Sequence, residues 1–333
     1  MIYLFSPFVP KKAINEVTKT LSGRFIGQGT KVDEFEKKLS FLGKYVLTLN
    51  SGTSALELAY DLLDLQPGDE VITPVFTFVG TNLPLVRRGV KIVFADVQSN
   101  LLMDWDDAVS KITPKTKAIV NVHLFGIYNK APKLGIPVIG DACQYLDKTE
   151  NETFTAYSFQ ATKIITTVDG GALVFKNKED YKRAKLLRWF GIDRETRKDN
   201  VDVDIEEAGY KYHMNDVTAS MGIAALDSLQ KLRKHRVKLI RKYKRLLEWG
   251  DGSPFLMMTY NRDKLRKKLL SHGIETGLVI RRNDLYSVFG GKRQYLTNMN
   301  SLENKYLFLP CHNNMSVKDV EYICTLVNKY DAA

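Results

Sequence analysis

Short apolar runs bounded by turn residues recur along the chain: EVITPVFTFV, VKIVFADV, KAIVNVHLFG, IPVIGDA and GALVFKN. Helical or loop stretches separate them, which suggests a mostly parallel sheet covered on both faces. NSGTSALELAYDLLDL, residues 50–65, reads as a helix, because Ala55, Leu58, Ala59, Leu62 and Leu63 recur at helical spacing. Ser54 and Glu57 have capping-box spacing near its start. QPGD beyond it is a turn. From about residue 180 long charged helical patterns take over, ending with SVKDVEYICTLVNKY, an amphipathic helix behind a serine cap. The pattern predicts an α/β protein: a large, mostly parallel sheet domain flanked by helices over residues 1–225, and a small C-terminal α+β domain over 226–333.

The 333 residues suffice for both units. No apolar run reaches the length of a membrane span. The opening MIYLFSPFVP lacks the basic start and small-residue cleavage site of a signal peptide. Three cysteines (Cys143, Cys311 and Cys324) with no C-x-x-C pair argue against a disulfide framework and a structural zinc. A cytoplasmic protein without a membrane partner is expected.

The net charge of +11 changes the picture by suggesting an anionic partner: nucleic acid, membrane surface or phosphorylated metabolite. Much of the excess lies in KLRKHRVKLIRKYKR, residues 231–245, where Leu232, Val237, Leu239 and Ile240 give a partial apolar face. A solvated face of an amphipathic helix accounts for this run. No nucleic-acid motif accompanies it, so no nucleic-acid partner is expected.

In open α/β sheets ligands bind at the carboxyl ends of strands, so the residues that follow strands carry the interest. NSGTSA places Gly52, Thr53 and Ser54 at a helix start, which is either a phosphate site or a plain cap. It is not a P-loop, since no G-x-x-x-x-G-K-[ST] occurs. Asp141 follows the run PVIG, with Gln144 three residues on. Its carboxylate suits a base, a partner for a ring nitrogen, or a helix cap. A metal is not expected, because no histidine or second carboxylate stands near in sequence. Lys163, in YSFQATKIITTVDGG, is the one lysine of a nearly uncharged stretch. It is either a strand-edge lysine or one that forms an imine, which requires an unprotonated amine. In that chain order, a phosphate site, an aspartate and a lysine are what pyridoxal 5'-phosphate needs, and Phe78 could stack on its ring.

The ordered segments GRFIGQGTKVDEFEKKLSFLG, LNSGTSALELA, QPGDEVITPVFTFVGTNLPL, TPKTKAIVNVHLFG, IPVIGDACQ, YSFQATKIITTVDGGALVF and GYKYHMNDVTASMGIAALDSL resemble the nucleotide-sugar aminotransferases of the DegT/DnrJ/StrS type, which are fold-type I pyridoxal-phosphate enzymes. The resemblance runs through most of the chain and implies roles. Lys163 would be the imine lysine and the base that moves the substrate proton, and Asp141 would pair with the pyridine nitrogen. Gln144 would lie near the ring, Gly52, Thr53 and Ser158 would hold the phosphate, and Phe78 would stack. GYKYHMND would reach a partner subunit's phosphate through Lys211 or His213, which implies a homodimer with shared sites. Gln28, Arg281 and Arg282 would be substrate-binding residues. Some relatives carry histidine at the lysine position and act as sugar dehydratases, so Lys163 favours transamination from L-glutamate, leaving 2-oxoglutarate, to C3 or C4 of a keto-sugar on a nucleoside diphosphate. Amino-sugar and polysaccharide biosynthesis would be the setting.

The chain departs from the family pattern in places. Lys211 and His213 stand where Asn and Arg are common, Gly140 where an acidic residue is, and Asp169 where Glu is usual. LFGIYNKAPKLGIPVIG lacks a helix, and GLVIRRNDLYSVFGG lacks the usual histidines; in it, Arg281 and Arg282 serve either a diphosphate or solvent. The cofactor residues are kept and other loops are cut, which predicts a minimised enzyme. A related pyridoxal-phosphate enzyme of other chemistry would differ in its products, and a non-catalytic binding protein would show no spectral response to amines.

Overall fold

The computed structural model describes residues 1–197, 203–247, 256–259 and 261–331. Seven strands form the main sheet: β1 (Tyr45–Leu49), β2 (Glu70–Pro74), β3 (Lys91–Ala95), β4 (Thr116–Val122), β5 (Val138–Asp141), β6 (Phe154–Ser158) and β7 (Gly171–Phe175). Their spatial order is β1-β7-β6-β5-β4-β2-β3. The β2–β3, β2–β4, β4–β5 and β5–β6 pairs are parallel, and β7 runs antiparallel to both its neighbours. Most strand positions are buried, as expected for a sheet covered on both faces. The sequence pattern did not mark Phe154–Ser158 as a strand, because Thr155 and Ser158 break its apolar run.

This topology positions the site. Val122 is in register with Asp141, and Asp141 with Ala156. Gly171, at the start of β7, faces Leu49 on one side and Ser158 on the other. The ends of β1, β4, β5 and β6 therefore share one sheet edge with the start of β7.

The helix after β1 spans Gly52–Asp61 and stops short of the expected residue 65. Ser51 caps it, accepting from Ser54 N at 3.0 Å. The expected Ser54–Glu57 capping box does not form. Glu57 instead accepts from Tyr212 Oη at 2.6 Å. Between Gly126 and Val138 the chain is loop, so β4 and β5 are joined without a helix. Beneath that loop lies a buried polar group: Asn121 Nδ2 donates to Asn129 O at 2.6 Å and to Glu152 Oε1 at 3.1 Å, and His123 Nε2 lies 3.3 Å from the same carboxylate oxygen.

A separate apolar cluster joins Leu239, Tyr243, Leu265, Leu269, Ile323 and neighbours. It is built on helices Leu229–Leu247, Arg262–Ser271 and Val317–Asp331, beside a two-stranded antiparallel sheet of β8 (Leu256–Met258) and β9 (Tyr306–Phe308). Ile2 packs against this cluster and bridges Ile274. The basic run is helical, as its pattern predicts, but its apolar stripe is Leu232, Leu239 and Tyr243; Val237 is 42% exposed. Ser316 and Asp319 cap the last helix reciprocally: Ser316 N donates to Asp319 Oδ2 at 2.7 Å and Asp319 N to Ser316 Oγ at 3.2 Å. No helix among the described residues is long and apolar enough to cross a membrane.

Candidate active site

The sheet edge gathers residues far apart in sequence. Gly52 opens the helix after β1, and its position leaves no room for a side chain. A Cβ built there would stand 2.7 Å from Cys143 Sγ and 2.9 Å from Ser158 Cβ. The β1–helix turn, the β5 end and the β6 end are thus in contact at one point. The first amides of a helix have no intrahelical acceptor. With Ser54 N taken by Ser51, the amides of Gly52 and Thr53 are left at the positive end of the helix dipole.

Asp141 ends β5 and is buried. Its Oδ2 accepts from Thr81 Oγ1 at 2.7 Å and its Oδ1 from Cys143 N at 3.1 Å. Gln144 follows one turn on, its Oε1 accepting from Phe125 N at 3.0 Å, where Phe125 sits at φ 62°. Lys163 lies half-buried in the loop between β6 and β7, its amide bonded to Gln160 O at 2.9 Å. The Cys143 thiol is pushed well up, first by burial and then by Asp141, while the Lys163 charge opposes that rise. Phe78 is 59% exposed, with its ring edge beside Gly80 and Thr53 Oγ1, all three meeting where a Gly80 Cβ would stand.

Lys211 and His213 lie on a segment that pairs with the β1 end: Leu49 bridges His213, and Asn50 N donates to Tyr212 O at 2.7 Å. Lys211 is exposed and His213 half-buried. The His213 pKa is lowered, first by burial and then by Arg188, Arg194 and Lys211. Gln28 belongs to the same neighbourhood, its carbonyl accepting from Arg194 Nη2 at 3.0 Å.

Arg281 and Arg282 separate. Arg281 is exposed, with its guanidinium 5.3 Å from the Tyr286 ring centre. Arg282 is 0% exposed and bound to Asp284 through Nε and Nη2, each at 2.7 Å, and to Asn300 at 2.5 Å. This corrects both expectations for Arg282: its guanidinium faces neither solvent nor a diphosphate, because a buried cation needs its fixed carboxylate. Sequence reasoning missed Thr77, Thr81 and Asn283. The only signal was their place in segments that follow strands or carry the arginine pair.

The donor set fits pyridoxal phosphate. A glycine-only helix start offers amides to a phosphate, and Asp141 is a buried carboxylate fixed by two donors with acceptor capacity to spare. Lys163 is a lysine at the same edge.

Comparison with known proteins agrees. The spore coat polysaccharide biosynthesis protein SpsC of Bacillus subtilis is 32% identical over 274 residues, covering 75% of this chain and 70% of that protein. The UDP-4-amino-4-deoxy-L-arabinose–oxoglutarate aminotransferase of Shewanella sediminis is 28% identical over 376 residues, 98% of this chain and 97% of that one. That alignment is longer than the 333-residue chain, so the relative carries segments absent here. Among solved structures, the sugar aminotransferase CalS13 of Micromonospora echinospora superimposes with a TM-score of 0.90 at 27% identity, covering 99% of this chain and 100% of that one. A model of the DegT/DnrJ/EryC1/StrS aminotransferase family matches residues 8–328. With the fold, the donor set and the family model in agreement, this chain belongs to the DegT/DnrJ/EryC1/StrS aminotransferases, a family of pyridoxal-phosphate-dependent enzymes.

Proposed function

We propose that this enzyme moves an amino group from L-glutamate to the keto carbon of a sugar carried on a nucleoside diphosphate. The observation that carries the reading is that the Gly52 helix start, Asp141 at the end of β5 and the β6–β7 loop bearing Lys163 lie at one sheet edge. Bound pyridoxal phosphate supplies an electron-accepting ring that stabilises charge at a substrate carbon. The chain supplies the rest. Amides of Gly52 and Thr53, with the Ser158 hydroxyl, hold the phosphate. Asp141 keeps the ring nitrogen protonated, because a fixed carboxylate in a buried site favours the charged partner. Phe78 would stack on the ring, and Gln144 would lie near it. Lys163 Nζ anchors the cofactor and carries a proton between the substrate carbon and the cofactor.

The name of the Shewanella sediminis relative joins a 4-amino sugar on UDP to oxoglutarate, which supports 2-oxoglutarate as the product of the donor half and favours C4 over C3. The exposed Arg281 and the half-buried Gln28 are the substrate-side residues of this reading, with Arg281 suited to a diphosphate. In a homodimer with shared sites, Lys211 meets the partner's phosphate. It is exposed and cationic, whereas the surrounding cations and burial keep His213 neutral. The three free cysteines suit a reducing cytosol.

The first test is the visible spectrum of the purified protein. The bound-cofactor band should shift on adding L-glutamate and return with 2-oxoglutarate, and borohydride should fix the cofactor to wild type but not to Lys163→Ala. A band indifferent to glutamate would remove the donor assignment. A borohydride link that survives Lys163→Ala would remove the lysine assignment.

A further inference from the structure

We propose that Asn283 is a positioning residue for the cofactor ring: it clamps the 75–82 loop and, through Thr77 and Thr81, fixes the hydrogen bonding of Asp141. The proposal rests on the reading of Asp141 as the ring-nitrogen partner. Asn283 lies in the RRND segment, fully buried. Its amide donates to Val75 O at 2.7 Å and its Nδ2 to Thr77 O at 2.7 Å, while its Oδ1 accepts from Asn82 Nδ2 at 2.9 Å. One residue thus holds three points of the loop that follows β2.

That loop leads to the carboxylate. Thr77 Oγ1 and Thr81 Oγ1 lie 2.8 Å apart, and Thr81 Oγ1 donates to Asp141 Oδ2. A hydroxyl has one proton, and that of Thr81 goes to the carboxylate, so Thr77 is the donor between the two threonines. The chain Thr77, Thr81, Asp141 has one direction. Its first member is held in place by Asn283 through the Thr77 carbonyl. Phe78, the proposed ring cover, is the next residue along that loop.

The clamp is itself anchored from behind. Arg282 and Asp284, on either side of Asn283, form the buried two-point ion pair, and Gln294 N donates to Asp284 Oδ2 at 2.7 Å. A buried ion pair adds little net stability but fixes register, and here the register it fixes is that of Asn283. The chain spans an interval of 201 residues between Asn82 and Asn283 to make this contact.

The test compares holoenzyme and apoenzyme of wild type, Asn283→Ala, Thr77→Val and Arg293→Ala. Arg293, half-exposed, pairs with Glu303, which also accepts from Arg282 Nη1, so its variant loosens the support behind Arg282 while removing no bond to the loop or to Asn283. The readouts are the pyridoxal-phosphate dissociation constant, the visible circular dichroism of the bound cofactor per unit absorbance, and the apoenzyme Tm. Asn283→Ala should raise the dissociation constant roughly tenfold and change the dichroism, since a lost buried partner leaves the Thr77 carbonyl unsatisfied. Thr77→Val should change the dichroism the same way, and Arg293→Ala should change Tm alone. An Asn283→Ala enzyme that loses Tm but keeps wild-type affinity and dichroism would overturn the proposal. Should that variant not fold, wild-type dichroism in Thr77→Val would overturn it. Wild type that takes up no cofactor would instead bring down the underlying reading of the site, and the proposal with it.

Discussion

Thr81 Oγ1 donates to Asp141 Oδ2 across 2.7 Å, joining the loop after β2 to the end of β5 over 60 residues of sequence. Asp141 is buried, so this hydroxyl is one of the two donors that replace its water.

Replacing Thr81 by valine keeps the shape and removes the donor. A hydrogen bond to a charged group is worth about 1.5–3 kcal/mol. The dissociation constant for pyridoxal phosphate should rise roughly ten- to hundredfold, and serine at the same position should restore most of it. Titration of apoenzyme followed by absorbance checks this.

Gly52→Ala should destabilise the protein even without cofactor. The new Cβ would stand 2.7 Å from Cys143 Sγ and 2.9 Å from Ser158 Cβ, and overpacking of this kind costs about 1–3 kcal/mol. Adding Cys143→Ala should recover only part of the loss, because the Ser158 contact remains. Urea unfolding of the single and double variants measures the difference.

Val168 holds φ 69° in the loop between Lys163 and the Gly-Gly pair, a left-handed backbone that a β-branched residue rarely adopts. Its side chain is 59% exposed, so little packing opposes the strain. Val168→Gly should stabilise the protein by about 1 kcal/mol, seen as a higher Tm. An unchanged or lower Tm would show that other contacts set this conformation.

Burial pushes the Glu152 carboxyl up, but His123 and Asn121 outweigh it and hold the pKa below the ordinary value. A folded pKa below the unfolded one gives stability that is present above the unfolded value and lost as pH falls through the folded one. Glu152→Gln should therefore be less stable than wild type near neutrality, with the gap closing below about pH 4. Denaturant melts at the two pH values check the sign.

Part of the site was legible because its parts are local. Gly52 follows an apolar run and opens a helix, and Asp141 ends a run; Ser158 was named only through the family resemblance, since its strand was not legible. Lys163 stood out as the one lysine of a nearly uncharged stretch. The missing helix between His123 and Asp141 was legible too, as a segment short against the family pattern. Arg282 was misread, since an arginine beside another arginine carries no local sign of burial. Its partner Asp284 lies two residues away, but Asn300 and the pocket enclosing them all come from tertiary packing. The helix cap was placed three residues late, because Ser51 and Ser54 are equally good caps until backbone geometry chooses between them.

The sequence by itself determined the layers, most of the strands and the candidate ingredients of the cofactor site, because hydrophobic period and turn chemistry act over a few residues. Only the tertiary structure decided which threonine serves Asp141, which arginine is buried, and that Asn283 holds the loop bearing Phe78. Each of those is a contact between segments distant in the chain. Such contacts follow from sheet order and packing, and neither leaves a period or a motif behind.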